Sequence, residues 1–163
     1  MWPEALPRRG VLLALLALAG CGFAPAYGPG GPGARLRGRI AVEAPDTVDG
    51  FRLRARLEDR LGGAEGSPAV LRVEPSVEVL EAGITPDGAI TRYNLEGRAA
   101  WRLVSAEGAV LAEGEATAFS GYSATGTTVA TRAAAEDARG RLMVLLADEI
   151  VARLLLLPPE ALP

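Results

Sequence analysis

Residues 93–103 read YNLEGRAAWRL, and the alternation within them decides the fold. Tyr93, Leu95, Gly97, Ala99, Trp101 and Leu103 fall on one side of an extended chain, while Arg92, Asn94, Glu96, Arg98 and Arg102 fall on the other. Successive side chains of a strand point to opposite faces, so a period of two marks a strand with one buried and one wet face. The same period runs upstream from Val70, where Leu71, Val73, Val77 and Val79 oppose Arg72, Glu74, Ser76 and Glu78. Pro75 has no N–H to offer a neighbour, which places that strand at a sheet edge or at a bulge. GITPDG (83–88) reads as a turn between these two strands, and Ser105–Gly108 turns the chain into a further strand, Val110–Phe119. Three such strands in succession make an antiparallel meander with one apolar face.

The flanks complete the architecture. Arg35–Glu43 places Leu36, Ile40 and Val42 on even positions and reads as a first strand. The stretch 44–63, APDTVDGFRLRARLEDRLGG, is ambiguous. Phe51, Leu53, Ala55 and Leu57 alternate with arginines, as in a strand. Asp46 or Asp49 offers a helix N-cap, Val48, Phe51, Ala55 and Leu61 share a helical face, and Gly62-Gly63 is a stop signal. A helix is the better reading. From Thr128 to about Leu156 a second helix carries Ala134, Ala138, Leu142, Leu145, Leu146, Ile150 and Leu154 at spacings of three and four. Asp137 with Arg141 and Glu149 with Arg153 stand at i,i+4 in the favourable order, and Pro158-Pro159 ends the helix. The order is βαβββα. The expected fold is therefore α+β, a four-stranded, mostly antiparallel sheet with two helices packed on one face.

At the N-terminus, Arg8 and Arg9 precede an unbroken apolar run, Val11–Ala19, which ends in small residues before Cys21. This is the pattern of a removable export signal. It is shorter than the ~20 residues that a bilayer-spanning helix needs. Leu18-Ala19-Gly20-Cys21 resembles the lipobox of bacterial lipoproteins, and the chain has a single cysteine. The resemblance implies that the Cys21 thiol carries diacylglycerol and that its amine is acylated after cleavage. More than one acyl chain, at about 0.8 kcal/mol per buried CH₂, makes a stable anchor. Position 22 is glycine and not the aspartate that retains such proteins at the inner membrane, so the expected location is the outer membrane, facing the periplasm. The chain then divides into a signal peptide (1–20), a lipidated Cys21 with a Gly/Pro-rich tether (21–34), a domain (35–157) and a short tail (158–163). Gly28–Gly33 reads as a segment without regular structure.

Composition removes several functions. The chain of 163 residues has 17 basic and 20 acidic side chains, with net charge −3, and every basic residue is arginine. No polybasic nucleic-acid binder has this balance. Histidine is absent, which rules out a histidine general base, a Ser-His-Asp triad and every histidine-ligated metal site in this chain. No cofactor and no metal are expected.

Three stretches now come together: CGFAPAYG directly after the signal, DGAITRYNLEGRAAWRL, and FSGYSATGTTVATRAAAEDA leading into the long terminal helix. They resemble the lipopolysaccharide-assembly lipoprotein family LptE, whose fold has the order βαβββα. The resemblance implies a non-enzymatic role for the lipid-anchored domain. It would sit as a plug within an LptD-like outer-membrane β-barrel, help that barrel to assemble, and contact lipopolysaccharide on its way to the outer leaflet. A lipopolysaccharide contact is implied near the Gly83–Thr91 loop, with Arg92, Arg98 and Arg102 as candidates because a guanidinium can bind phosphate through two donors. The plain alternative is that these three are the solvated face of a strand. Arg52, Arg54, Arg56 and Arg60 read as a solvated helix face near Glu58 and Asp59, and Tyr93 and Trp101 as packing residues.

Two rival functions remain. Glu113 and Glu115 stand on one strand face roughly 7 Å apart, a spacing two catalytic carboxylates could use on a glycan, although solvated side chains explain them equally. The other rival keeps the fold as a scaffold or binding lipoprotein of a different envelope complex, since fold alone does not fix function.

Overall fold

The computed structural model describes residues 26–63 and 66–158. The signal peptide, Cys21 and the last five residues lie outside that range. The elements are a short helix α1 (Pro32–Leu36), β1 (Ile40–Glu43), α2 (Val48–Leu61), β2 (Ala69–Ile84), β3 (Ile90–Ser105), β4 (Val110–Ser123) and α3 (Thr128–Leu155). The sheet is four-stranded in the order β1-β2-β3-β4. Its first pair is parallel, with α2 as the crossover, and the others are antiparallel. The expected α+β architecture is the one observed, with α2 and α3 on the same face of the sheet.

Register explains the two faces. Leu71 pairs with Leu103, Val73 with Trp101, Leu103 with Ala112 and Ala99 with Ala116. These side chains meet Leu53, Leu57, Leu142, Leu146, Ile150 and Leu154 from the helices in one core. No buried residue of the described chain is polar or charged. The helix side of the sheet is thus dry, and everything ionic lies outside it.

Both hairpins use the same device. Thr85 and Ser105 each open a turn in which their own N–H donates to the carbonyl four residues on, at 2.9 and 2.8 Å. Their hydroxyls accept from the Ala89 and Ala109 N–H groups at 3.0 and 3.3 Å. Gly88 and Gly108 close the turns at φ 84° and 88°, a region glycine enters without steric cost.

Five expectations need correction. Leu36 lies in α1 and not in a first strand: Pro32, with φ already set for a helix, starts a turn, and β1 begins only at Ile40. For the same reason the Gly/Pro segment is partly regular, because Pro32 and Gly33 belong to that helix. α2 forms as read, but its N-cap is Thr47, whose hydroxyl accepts from Gly50 N–H at 3.0 Å. Its buried face is Leu53, Leu57 and Leu61, whereas Val48 and Phe51 are exposed. In α3, Leu145 is also exposed, and Met143, Ala147 and Val151 join the stripe instead. That helix touches both the sheet and α2, so its buried arc is wider than one row.

Pro75 is accommodated as its chemistry requires. β1 reaches β2 only as far as Arg72, so at Pro75 the β1 side of β2 is already a free edge and no ladder donor is missed.

Candidate functional site

The face of the sheet turned away from the helices carries the polar residues of all four strands. One row crosses it at Glu43, Arg72, Arg102 and Glu113, paired through the registers of β1–β2, β2–β3 and β3–β4. Arg72 Nε donates to Glu43 at 2.9 Å and Arg102 Nε to Glu113 at 3.0 Å. The two arginines stand directly opposite each other, and each is neutralised by the strand on its outer side. In the next row Glu74, Ala100 and Glu115 are aligned. The small Ala100 leaves a hollow of about 550 Å³ that Arg72, Arg102, Glu74, Glu113 and Glu115 surround. Glu113 is 61% exposed and tied to Arg102, unlike the buried, unpaired carboxyl that serves as a general acid.

The three candidate arginines share this face but do not converge. Arg92, Arg98 and Arg102 are strung along β3 over roughly 33 Å at about 3.3 Å per residue. Arg98 is paired with Glu96 at 2.5 Å and Arg102 with Glu113 at 3.0 Å. Arg92 has no ion pair or hydrogen bond among the described residues. It stands where β3 leaves the β2–β3 hairpin, opposite Gly83 and Ser123. Phe119 and Ile84 are exposed on the same half of the sheet, at 67% and 65%. Of the sequence-derived candidates, Arg92 alone presents a free guanidinium. Cys21 lies outside the described residues.

The α2 arginines are not merely a solvated face. Arg56 donates to both carboxylate oxygens of Asp148 on α3, at 3.1 and 3.0 Å, a fork-to-fork pair. The hydrogen bond to Asp148 raises the Arg56 pKa further above its ordinary value, against a lesser desolvation effect. Arg60 Nε lies 3.7 Å from the same carboxylate, and Arg52 donates to the Glu136 carbonyl at 3.3 Å. Conversely, Arg139 of α3 reaches Asp49 at 2.7 Å. Spacing of four along α2 puts Arg52, Arg56 and Arg60 on one edge, which becomes the seam between the helices. Sequence reasoning missed Asp148 as their partner because the contact spans 92 positions.

Tyr27 was also missed. Its hydroxyl accepts from Arg60 at 3.0 Å and its ring lies 5.4 Å from that guanidinium. A Cβ at Gly33 would come within 2.6 Å of the ring, so Tyr27 is held between α1 and the end of α2. Tyr93 stacks on Tyr122 at 5.2 Å and Trp101 is 6% exposed in the core, so both are packing residues, as expected.

Fold and outer face together define a small α+β domain whose sheet is covered by helices on one side and is bare and ion-paired on the other. The family model LptE, lipopolysaccharide-assembly, matches residues 38–154. The chain belongs to that family. No curated protein matches. Among solved structures, a candidate lipoprotein of Caulobacter crescentus CB15 is 27% identical with a TM-score of 0.62, over 78% of this chain and 96% of that one. A minor lipoprotein of Acinetobacter baumannii (20% identity, TM-score 0.57, 77% and 94% covered) shares the fold. So does the rare lipoprotein B of Shewanella oneidensis (17%, 0.54, 70% and 91%).

Proposed function

We propose that this chain is an outer-membrane lipoprotein, lipidated at Cys21, that partners an LptD-like β-barrel as a plug and assembly factor. In that setting it assists the insertion of lipopolysaccharide into the outer leaflet. Membership of the lipopolysaccharide-assembly family supports the reading. The observation that carries it is the bare outer face, where long strands carry cross-strand ion pairs over a fully apolar core. Such a surface suits the water-filled, polar interior of a large barrel. Three pairs on it, Glu43 with Arg72, Glu96 with Arg98 and Glu113 with Arg102, are neutralised in place, so docking them against polar walls leaves none of these six ions unpaired. Among Arg92, Arg98 and Arg102, Arg92 is the strongest choice for a lipid A phosphate, because the other two already hold carboxylates.

The test is a pull-down of the tagged, lipidated protein from its native membrane in detergent, with mass spectrometry of the eluate. A large β-barrel in one-to-one ratio is expected. Absence of a barrel from a well-expressed preparation refutes the plug and moves the domain to another envelope complex. Cys21→Ala in the same preparation should leave a protein without the lipid mass, retained as precursor or soluble. Unchanged mass and unchanged detergent partitioning would remove the anchor.

A further inference from the structure

β2 is far longer than the strand beside it. From Val73 to Ile84 its β1 side has no strand neighbour, while its other side stays paired with β3. At about 3.3 Å per residue this leaves about 40 Å of free edge, whose C=O groups and, Pro75 excepted, N–H groups are a template for a further strand. Val79, Leu80 and Ile84 on this stretch are 47%, 41% and 65% exposed, so no helix shields it. Next to the edge, on the helix side, a hollow of about 230 Å³ lies between Val79, Leu95 and Tyr122 of the sheet and Ala135 and the charged Arg132, Glu136 and Arg139 of α3. An added strand could lay inward side chains there, beside Val77 and Val79. β4 is the opposite edge of the sheet, and α3 packs over that strand.

Charge selects the occupant. Glu74, Glu78 and Glu81 line the free stretch, and none has an ion pair among the described residues. A second copy of β2 laid along this edge would bring the same carboxylates against their own kind, which is destabilising across strands. Where the edge does have a neighbour, the outer-face pair is Glu43 with Arg72, opposite in sign, at 2.9 Å. We infer that the Val73–Ile84 edge of β2 receives an extended segment of another protein, in which arginine or lysine alternates with apolar residues. The basic side chains meet Glu74 and Glu78 on the outer face, and the apolar ones cover Val77 and Val79 on the helix side. This is strand addition, with affinity from main-chain hydrogen bonds and selectivity from alternate side chains. It stands independently of the barrel reading.

The probe is a ten-residue peptide of alternating valine and arginine, titrated by fluorescence anisotropy against the lipidated protein in detergent. It should bind at least tenfold more tightly than the alternating valine–glutamate peptide, and slow the amide exchange of Val77–Glu81. The same peptide with every amide N-methylated keeps its charges and loses its donors, and should lose binding at least tenfold. In the variant carrying Glu74→Arg and Glu78→Arg, both exposed positions, the preference between the two peptides should reverse. Equal binding of the methylated peptide would reduce the effect to charge attraction and overturn strand addition. Absence of binding, or a concentration-dependent dimer protected at the same amides, would overturn it as well.

Discussion

Leu142 of α3 rests directly on the backbone of Gly97 in β3. A Cβ built on Gly97 would lie 2.9 Å from the leucine Cγ and 3.0 Å from each of its methyl carbons. Sheet and helix meet at this distance because one position in the strand has no side chain. Gly97→Ala must lift α3 or turn Leu142 out of its rotamer, and overpacking of this kind costs about 1–3 kcal/mol. Urea melts of Gly97→Ala, Leu142→Ala and the double variant measure the coupling. The double variant should be less destabilised than the sum of the singles, because the new methyl enters the space that the leucine vacates. Strict additivity would show that the two residues do not confine each other.

One turn further along α3, Leu146 is fully buried in the cluster that joins both helices to the sheet. Leu146→Ala is expected to cost about 2–5 kcal/mol. The exposed Leu145 next to it serves as the control, and its alanine variant should fall within about 0.5 kcal/mol of the parent. Equal losses at the two positions would mean that the helix is rotated from the orientation described above.

The seam between the helices is ionic where the core is apolar, and Asp148 is its hub. Arg56 grips it with two hydrogen bonds and Arg60 stands 3.7 Å away. All three side chains are about a third exposed, so water screens the pair. Asp148→Asn should cost only about 1 kcal/mol, and the loss should shrink in 1 M salt, where the screening length is about 3 Å. A salt-independent loss would assign the effect to packing.

The sheet was legible in the sequence because each strand carries a strong contrast between its faces. Tyr93 to Leu103 alternates without a break, and the burial of Leu95, Ala99, Trp101 and Leu103 follows it. Both hairpin turns were equally readable, since each ends in a glycine placed where φ must be positive. α2 was harder because its arginines alternate with apolar residues and leave two stripes that could be buried. Phe51 sits on the stripe that faces solvent, with the Arg54 guanidinium 5.7 Å from its ring. The choice between the stripes is made by β1, β2 and α3, which are distant in sequence. Of the candidate arginines, the shared face was readable from parity alone. That Arg98 and Arg102 are occupied by Glu96 and Glu113 was not, because such pairing depends on rotamers and strand register.

Glu107, in the β3–β4 turn, gives a pH signature. The Ser105 hydroxyl and the residue's own N–H hold its carboxylate below the ordinary range. A depressed folded-state pKa adds stability that is present above the unfolded value and lost as pH falls through the folded one. Fraying of this hairpin should therefore begin in acid, below the usual glutamate range near 4.3. A carboxyl-carbon NMR titration should place Glu107 below the glutamate reference, and Ser105→Ala should return it upward. A midpoint at the reference value in the parent would remove the hydroxyl's role.

The last prediction concerns how the domain holds the segment that leads back towards Cys21. Tyr27 is pinned by the Arg60 hydrogen bond, by the guanidinium over its ring and by close contact with Gly33. The Gly33 N–H in turn donates to the Ala26 carbonyl at 2.9 Å. Removing the ring leaves α1 attached chiefly through the buried Leu36, a single apolar anchor for a five-residue helix that cannot be stable alone. Tyr27→Ala should change global stability by only about 1 kcal/mol, the scale of one hydrogen bond and one exposed cation–π contact. Locally the effect should be larger, with the amides of Ala34, Arg35 and Arg37 exchanging at least tenfold faster and trypsin cutting sooner at Arg35 and Arg37. Tyr27→Phe, which keeps the ring over Gly33 and loses the hydroxyl, should fall between the two. If the alanine variant exchanges at the parent rate, Leu36 alone holds the segment and the Tyr27–Arg60 contact is incidental.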